Sequence, residues 1–269
     1  MFQASPQSLS VLLLSCIGLV SLATATAAPE LLTRPQGPDG GTLPESAIPP
    51  LPASHIGRIL SEYYSAGFGG AENWERVSSL RLEGEISTAE GQFEFSAYCK
   101  KPNLFKILVS SDECESVSGY DGVHAWKHRL RPKSSPEILS DTATVHWLQH
   151  AVFCSHLLYP YAEGKVIRYI DTLPVEGKLC NQVQVELDNG DQFNYFIDIH
   201  THLLVQCVHF DHDRGRALSL TYDDYTPNES LPLPDEIVYS ENGEWVGSLK
   251  LAAVGINAGI MPWMFQLPN

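Results

Sequence analysis

The sequence is poor in positive charge. It has 17 Lys and Arg residues against 32 Asp and Glu residues, which gives a formal net charge of −15 over 269 residues. Nucleic-acid binding needs basic side chains that displace counterions from phosphates, and the few cations of this chain are not clustered. The charge balance therefore excludes a nucleic-acid-binding protein. Hydrophobic residues make up 43% and charged residues 18%, which is typical of a folded globular chain.

Several short motifs of enzymes and cofactor sites are also missing. The sequence has no G-x-S-x-G and no C-x-x-C, which disfavours a serine hydrolase, a thioredoxin-like redox site and a zinc knuckle. Gly67, Gly69 and Gly70 follow a predicted helix instead of preceding one, so they lack the helix N-terminus that binds a phosphate. We therefore expect neither nucleotide nor cofactor, and no enzymatic activity.

Residues 1–28 contain no charged side chain. The apolar run 11–23 is short for a bilayer span and is followed by Ala25-Thr26-Ala27, which resembles a signal-peptidase site. This pattern predicts a cleaved signal peptide over 1–28 and an exported, periplasmic protein. A membrane anchor and a lipoprotein anchored at Cys16 are the alternatives.

Prolines and glycines dominate residues 29–52, which predicts a disordered tether before a folded domain over 53–269. Ser54 is a suitable N-cap for a first helix, and Gly67 is expected to end that helix. Its apolar residues recur at helical spacing: Ile56, Ile59, Leu60 and Tyr63.

Beyond this helix the hydrophobic period changes to two, as in antiparallel strands. Asn189-Gly190 and Asn242-Gly243 each predict a hairpin with a type I′ turn. A helical pattern between residues 136 and 160 is the only interruption. Further predicted strands cover residues 78–88, 91–99, 103–110, 113–119, 122–128, 165–171, 202–210 and 216–225.

Two or three helices cannot cover both faces of so large a sheet unless the sheet curls. The expected fold is therefore mainly β, of the α+β class. A strongly curved antiparallel sheet would form an open or partial β-barrel, with the helices across its concave side. Such an arrangement encloses an apolar cleft.

A set of spaced turns and segments runs from residue 54 to the C-terminus: ILSEYYSAGFGGAENWERVSSLRLEGEI, Lys101-Pro102-Asn103, Gly119-Tyr120-Asp121-Gly122 with Trp126, Tyr195-Phe196-Ile197-Asp198 with Thr201 and Leu203, and LPLPDEIVYS through Asn257 to Phe265 and Pro268. Together these segments resemble the LolA-like, outer-membrane lipoprotein-sorting superfamily. The resemblance implies an unclosed β-barrel covered by helices, a periplasmic location and a cavity that shelters the acyl chains of lipoproteins.

A soluble carrier of acyl chains needs an apolar cavity, because each exposed CH₂ costs about 0.8 kcal/mol in water. Aromatic side chains on the sheet and on the predicted lid helix can supply its lining. For each of them, ordinary core packing is the alternative role. The candidates for ligand binding are Phe93, Phe95, Trp126, Trp147, Phe153 and Tyr195.

The histidines raise a weaker alternative, a metal-dependent hydrolase. The run Asp198–His202 resembles an Asp-x-His-x-His metal motif but falls at a predicted hairpin turn, where Asp caps the turn. His146 and His150 have zinc-ligand spacing on a helix, but the glutamate that a metalloprotease places beside the first histidine is missing. Cys154 beside His150 does not form a defined nucleophilic site. The run 211–213 does not have the spacing of a metal site. No metal is therefore predicted.

The chain beyond residue 28 has five cysteines, and export would permit disulfides between them. Their pairing stays open: Cys99, Cys114, Cys154, Cys180 and Cys207. Together these patterns predict a non-enzymatic, exported carrier or binding protein for lipid or an acylated protein. A membrane-associated donor or acceptor protein is the expected partner. A structural or interaction module of the cell envelope with a filled core is the second hypothesis.

Overall fold

The computed structural model describes residues 29–33, 50–140, 155–158, 160–211, 215–228 and 231–268. The predicted signal peptide and most of the predicted tether lie outside these ranges. The described part contains two α-helices, α1 (His55–Phe68) and α2 (Ala71–Arg76). Its strands are β1 (Glu30–Leu31), β2 (Ser79–Thr88), β3 (Gly91–Lys100), β4 (Leu104–Ser110), β5 (Glu115–Tyr120), β6 (Ala125–Arg131), β7 (Glu137–Ile138), β8 (Lys165–Val175), β9 (Lys178–Leu187), β10 (Gln192–Asp198), β11 (Leu204–Asp211), β12 (Arg216–Asn228), β13 (Leu231–Glu241) and β14 (Glu244–Ile256).

The strands form one antiparallel sheet of 14 strands. Their order is β1-β8-β9-β10-β11-β12-β13-β14-β2-β3-β4-β5-β6-β7, so the sheet is open at β1 and β7. Most neighbours in this order are consecutive along the chain, as expected for a meander joined by tight turns. The prediction of a mainly β fold with an open antiparallel sheet is confirmed.

The chain divides into two compact units. In the described part, unit 1 comprises residues 77–140 and 246–268, with strands β2–β7, most of β14 and a 3₁₀ turn at Pro262–Phe265. Unit 2 comprises residues 29–33, 50–76 and 155–245 without the gaps named above. It holds both helices, β1, β8–β13 and a 3₁₀ turn at His156–Leu158.

In unit 2, α1 begins and ends close to where the sequence predicts. The Ser54 hydroxyl accepts a hydrogen bond from the Gly57 N–H at 3.2 Å, which satisfies one of the free donors at the helix start. Gly69, with φ of 67°, caps the other end and donates its N–H to the Tyr64 carbonyl. The cap is Gly69 and not Gly67, because Gly67 is still helical and buried. The short helix α2, which buries Trp74, was not predicted.

Both predicted Asn-Gly hairpins exist, but their turns differ. Asn242 and Gly243 both have positive φ, 51° and 82°, as a type I′ turn requires. In the β9–β10 turn only Gly190 has a positive φ, 90°. The Asn189 side chain accounts for the difference, because it bonds Asp191 through Nδ2 and accepts the Asp191 N–H, an alternative to the I′ geometry.

The helical pattern predicted between residues 136 and 160 lies mostly outside the described residues, and the described residues at its two ends are not α-helical. Residues Glu137–Ile138 form β7, which pairs with β6 in register Trp126↔Ile138. Lys127 and Glu137 form an ion pair at 3.2 Å across this edge. His156–Leu158 form a 3₁₀ turn, and residues 141–154 lie outside the described part. Backbone pairing with β6 outweighs the helical spacing at the start of this segment.

Two short pieces of the predicted tether have ordered contacts. Glu30 and Leu31 pair with β8, and the Leu32 N–H donates to the Ile167 carbonyl at 2.9 Å. Leu32 itself is buried. The segment before α1 also packs closely, since a Cβ on Gly57 would lie 2.0 Å from the Pro52 carbonyl oxygen. The remaining tether residues lie outside the described part.

The four described cysteines are free thiols: Cys99, Cys114, Cys180 and Cys207. Burial raises the pKa of the Cys99 thiol to about 12 and is also the main cause that raises that of Cys180 to about 11. Both therefore stay protonated at neutral pH and pack as small apolar groups.

Asn242 gives a test of the β13–β14 turn. Replacing Asn242 with Val should lower the free energy of unfolding by about 1–2 kcal/mol, because a β-branched residue tolerates a positive φ poorly. The variant also loses the bond from the Ala217 N–H to Asn242 Oδ1. Asn242→Gly is the control, because glycine adopts the same φ without strain and should lose less. Urea unfolding measures both, and equal losses would contradict this account.

Candidate functional site: an apolar face of unit 1

One face of the unit 1 sheet is apolar across five neighbouring strands. Its buried cluster consists of Ile86, Phe95, Ala97, Phe105, Ile107, Val109, Tyr120 and Ala125. The strand register explains the grouping. Phe95 pairs with Val109, and Ala97 pairs with Ile107, so residues two apart on each strand stack in rows on the same side.

This buried cluster is surrounded by apolar side chains that are only half-buried. They are Leu82, Phe93, Cys99, Leu139, Leu249 and Leu251. We call these residues and the buried cluster together the apolar face of unit 1. A partly exposed apolar surface around a packed cluster is where an acyl chain could gain contact area without displacing the core.

Phe93 and Phe95, two of the predicted ligand-binding residues, lie together on this face but differ in role. A Cβ built on Gly84 would lie 2.9 Å from the Phe95 ring, so the ring lies directly against the strand β2 backbone. Phe95 is 3% exposed and belongs to the packed cluster, whereas Phe93 is half-buried at its margin. Of the two, Phe93 has the exposure that ligand contact requires.

Trp126 lies on the opposite face of the same sheet. It pairs with Gly119, Gly119 pairs with Lys106, and Lys106 pairs with Tyr98, which is three residues from Phe95 on β3. An odd offset along a strand places two side chains on opposite faces. Trp126 is fully buried, and its indole N–H donates to the Phe265 carbonyl at 2.8 Å. Its position is that of a packing residue beneath the C-terminal 3₁₀ turn.

A groove of about 950 Å³ lies at one end of unit 1, at the β2–β3 and β4–β5 turns. Phe93 reaches it, but most of its charged lining is acidic: Glu85, Glu90, Glu94, Asp112, Glu113 and Glu115, with Arg131. Glu85 and Glu94 face each other directly across β2 and β3. Like charges at this distance repel, and they would also disfavour a phosphate or carboxylate in the groove.

In unit 2, one side of α1 packs against neighbouring elements of the same unit. The residues that α1 buries are Ile56, Gly57, Ile59, Leu60, Tyr63, Tyr64, Gly67 and Phe68. The helix contacts β13 and β1, and the Tyr64 hydroxyl donates to the Leu157 carbonyl. Desolvation, with smaller effects of Tyr63 and Tyr161, raises the pKa of Tyr64 well above its usual value. The interior of unit 2 is therefore filled by its own side chains.

Tyr195 lies in this filled interior. It is 4% exposed, and its ring stacks on Phe193 with centroids 6.5 Å apart. The two remaining predicted ligand-binding residues, Trp147 and Phe153, lie outside the described part of the chain.

One end of the unit 2 interior contains polar side chains, which were not predicted from the sequence. His209 is fully buried, stacks on the Phe193 ring at 4.1 Å and has Nε2 3.5 Å from an Asp191 carboxylate oxygen. Arg216 lies 3.5 Å from Asp211 and 3.2 Å from Glu241. Asp191, directly before β10, and His209 on β11 occupy inward positions, where the neighbouring inward residues are apolar. These two polar residues interrupt the apolar alternation, and that interruption is the sequence feature that indicates the polar end.

Lys165 belongs to the same end of the sheet. Its ammonium donates to the His156 carbonyl at 2.6 Å, and burial lowers the pKa of this lysine to about 7. Desolvation disfavours the charged form, and the hydrogen bond to a neutral carbonyl compensates only in part.

The Asp198–His202 turn is arranged as predicted. The Asp198 carboxylate accepts the backbone N–H groups of His200 at 2.7 Å and Thr201 at 3.3 Å, which is the capping role expected from the sequence. His202 lies 3.5 Å from Glu62. His146, His150 and Cys154 lie outside the described residues, as do His212 and Asp213.

Protein-family models and the curated proteins give no match to this sequence. Solved structures do. A LolA superfamily protein from Nitrosomonas europaea superposes with a TM-score of 0.55 at 10% identity and covers 80% of this chain and 98% of its own. A DUF1329 family protein from Desulfovibrio piger has a TM-score of 0.53 at 10% identity, covering 78% and 96%. An outer membrane lipoprotein-sorting protein domain from Vibrio parahaemolyticus has a TM-score of 0.52 at 10% identity, covering 77% and 94%.

The chain has the LolA-like fold. The resemblance drawn from the sequence is thereby confirmed at the level of the fold. At 10% identity the likeness concerns chain topology alone. In the described ranges, no helix is long and apolar enough to cross a membrane.

The packing role of Trp126 can be tested by removing its hydrogen bond. Trp126→Phe leaves the buried Phe265 carbonyl without its indole donor, so the free energy of unfolding should fall by about 1–3 kcal/mol in urea denaturation. Trp245→Phe is the matched control, because Trp245 is 52% exposed and its replacement should change stability by less than about 0.5 kcal/mol. Similar losses in both variants would contradict the role assigned to Trp126.

The lowered pKa of Lys165 predicts that the stability of the protein depends on pH. Its pKa is about 7 in the folded chain against 10.5 for a free lysine, so between these values the unfolded chain binds more protons. The free energy of unfolding therefore increases as pH rises across this window. The free-energy cost of burying the charged ammonium of Lys165 is fully present only below pH 7. The stability of Lys165→Met relative to the parent should accordingly decrease as pH rises from 7 to 10. Unfolding curves at each pH measure this, and a constant difference would refute it.

Proposed function

We propose that the protein is a non-enzymatic carrier or binding protein for lipid or for the acyl chains of a lipoprotein. The observation that carries this proposal is the apolar face of unit 1, with its margin of half-buried side chains. Full shielding of one large apolar side chain stabilises by about 1.5–3 kcal/mol, so several partly shielded ones form a favourable surface for an acyl chain. Two of the structural neighbours are a LolA superfamily protein and a lipoprotein-sorting protein domain, which supports the same class.

The binding site in this proposal is a cleft on the concave side of a curved sheet. Phe93 contributes at the margin of the apolar face, and Phe95 supports it from within the cluster. Trp147 and Phe153, which lie outside the described residues, stay candidate ligand-binding residues in this proposal. Trp126 and Tyr195 would act indirectly, by holding the scaffold, because both are buried among side chains of their own unit.

The protein works outside the cytoplasm in this proposal, after cleavage of the signal peptide, and exchanges cargo with a membrane-associated donor or acceptor. The charge pattern agrees with neutral or zwitterionic cargo heads. The net charge is −15, and the groove beside Phe93 has a predominantly acidic lining. The net charge disfavours an anionic ligand in general, and the acidic groove does so at the edge of the sheet that Phe93 reaches.

A structural or interaction module is the second candidate, and the filled interior of unit 2 favours it. If the apolar face of unit 1 were covered in the same way by segments of the chain, no cargo could enter. A hydrolase acting through the histidines is a weaker third candidate. The Asp198 carboxylate is already engaged with two backbone N–H groups, and the Cys99 and Cys180 thiols are held in their protonated form.

Lipid extraction of the purified full chain, followed by mass spectrometry, tests the carrier hypothesis. The parent should carry fatty acid, phospholipid or lipopeptide. Phe93→Gln should bind about tenfold less, because it places a polar amide on the apolar face. Circular dichroism establishes that each variant is folded.

Phe210→Gln is the matched control, because Phe210 is also a half-buried phenylalanine but belongs to strand β11 of unit 2. It should keep the lipid content of the parent. A parent that yields no lipid after recovery from membranes would support the module. Hydrolysis of a substrate, lost on chelation, would be needed to support the third candidate.

A further inference from the structure

The C-terminal segment of the chain is free of charge. From Leu251 to Asn269 there is no Asp, Glu, Lys or Arg, in a protein that has 49 such residues (17 + 32) elsewhere along its sequence. Much of this segment is exposed to solvent, including Ala252, Ala253, Ala258 and Gly259. Nineteen consecutive residues without a charged side chain are unusual in a protein in which 18% of the residues are charged.

Two large apolar side chains of this segment are exposed to solvent. Trp263 is 67% exposed and Met261 is 52% exposed, and both belong to the 3₁₀ turn Pro262–Phe265 or its N-cap. Among the tryptophans that the structure describes, Trp74 and Trp126 are fully buried. Trp245 is exposed as well, at 52%, and Trp263 is the most exposed of the four described tryptophans.

The turn that presents Trp263 is held firmly in place. Phe265 is fully buried beneath it, and its carbonyl accepts the Trp126 indole N–H. Within the turn, the Met264 N–H donates to the Met261 carbonyl at 3.0 Å, and the Gln266 N–H to the Trp263 carbonyl at 3.3 Å. Because Phe265 anchors the turn, Trp263 cannot turn inward without breaking these contacts.

The size of this patch argues against a protein partner. A fully exposed large side chain presents about 150–250 Å², so Trp263 and Met261, at 67% and 52% exposure, together present roughly 300 Å². A stable protein interface or dimer needs about 800 Å² from each partner. Insertion into a bilayer interface has no such requirement, and tryptophan favours the headgroup level, where its ring is shielded and its N–H stays hydrated.

We propose that the turn formed by Met261, Pro262 and Trp263 docks the protein on the surface of a lipid bilayer with zwitterionic headgroups. The charge-free segment loses no ionic hydration on contact with the headgroups. The net charge of −15 disfavours anionic membranes. This inference does not require bound cargo and is therefore separable from the carrier hypothesis.

Brominated phosphatidylcholine vesicles test this proposal, because bromine quenches only those tryptophans that enter the bilayer. The purified full chain should show quenching, and Trp263→Ser should lose most of it, at least about threefold. Met261→Ser should weaken vesicle binding by up to roughly tenfold, as expected for one large apolar side chain. Adding phosphatidylglycerol to the vesicles should reduce the quenching of the parent.

Trp245→Ser is the matched control. Trp245 is also exposed, at 52%, but it follows the charged residue Glu244 and lies outside the charge-free segment. This variant should be quenched as strongly as the parent. Equal quenching in Trp263→Ser and the parent would overturn the proposal. So would sedimentation that shows a dimer of the parent dissociating in Trp263→Ser, because the patch would then bind a second copy.

Discussion

The alternation of side chains along each strand is the constraint on which the rest of this structure depends. In a pleated antiparallel sheet, one register places every second residue of every strand on the same side. In unit 1 this brings Phe95, Val109 and Ile107 into a single apolar face, and it places Trp126 on the other side. Each face must then be covered by something, because apolar area left in water costs free energy.

The two units cover their apolar faces in different ways. Unit 2 places α1 on its sheet, with Tyr63, Tyr64 and Phe68 buried. In unit 1, the short C-terminal turn covers Trp126 on one side through Phe265. The opposite, apolar side keeps half-buried leucines and Phe93 at its margin. This contrast is the reason why the proposed ligand site lies in unit 1.

Charged side chains are distributed differently in unit 2, in the groove of unit 1 and in the C-terminal segment. In unit 2, the buried carboxylates of Asp191 and Asp211 lie near His209 and the half-buried Arg216, and Arg216 also contacts Glu241. At the end of unit 1, carboxylates face solvent in the groove beside Phe93. The C-terminal segment carries no charge at all. Apolar cargo and a neutral membrane surface are compatible with this pattern, whereas anionic ligands are not.

The sequence by itself determined the features that depend on near neighbours in the chain. The cap at Ser54, the apolar side of α1, the positive φ of Asn242 and Gly243 and the capping role of Asp198 are all local, so spacing and residue type predict them. The strand limits followed to within a few residues, since turn residues mark them. The LolA-like resemblance also rested on spaced turns, and the fold comparison confirmed it.

Only the tertiary structure decided which aromatic residues share a face and which remain exposed. Whether Trp126 joins Phe95 depends on the register accumulated over four strands, from β3 to β6, and no local pattern contains that sum. Residues 137–138 joined the sheet because β6 offered a free edge. Trp263 stays exposed because Phe265, two residues later, is the side chain that finds a buried place. Each outcome depends on contacts between residues distant in sequence, and for that reason it could not be read from the chain alone.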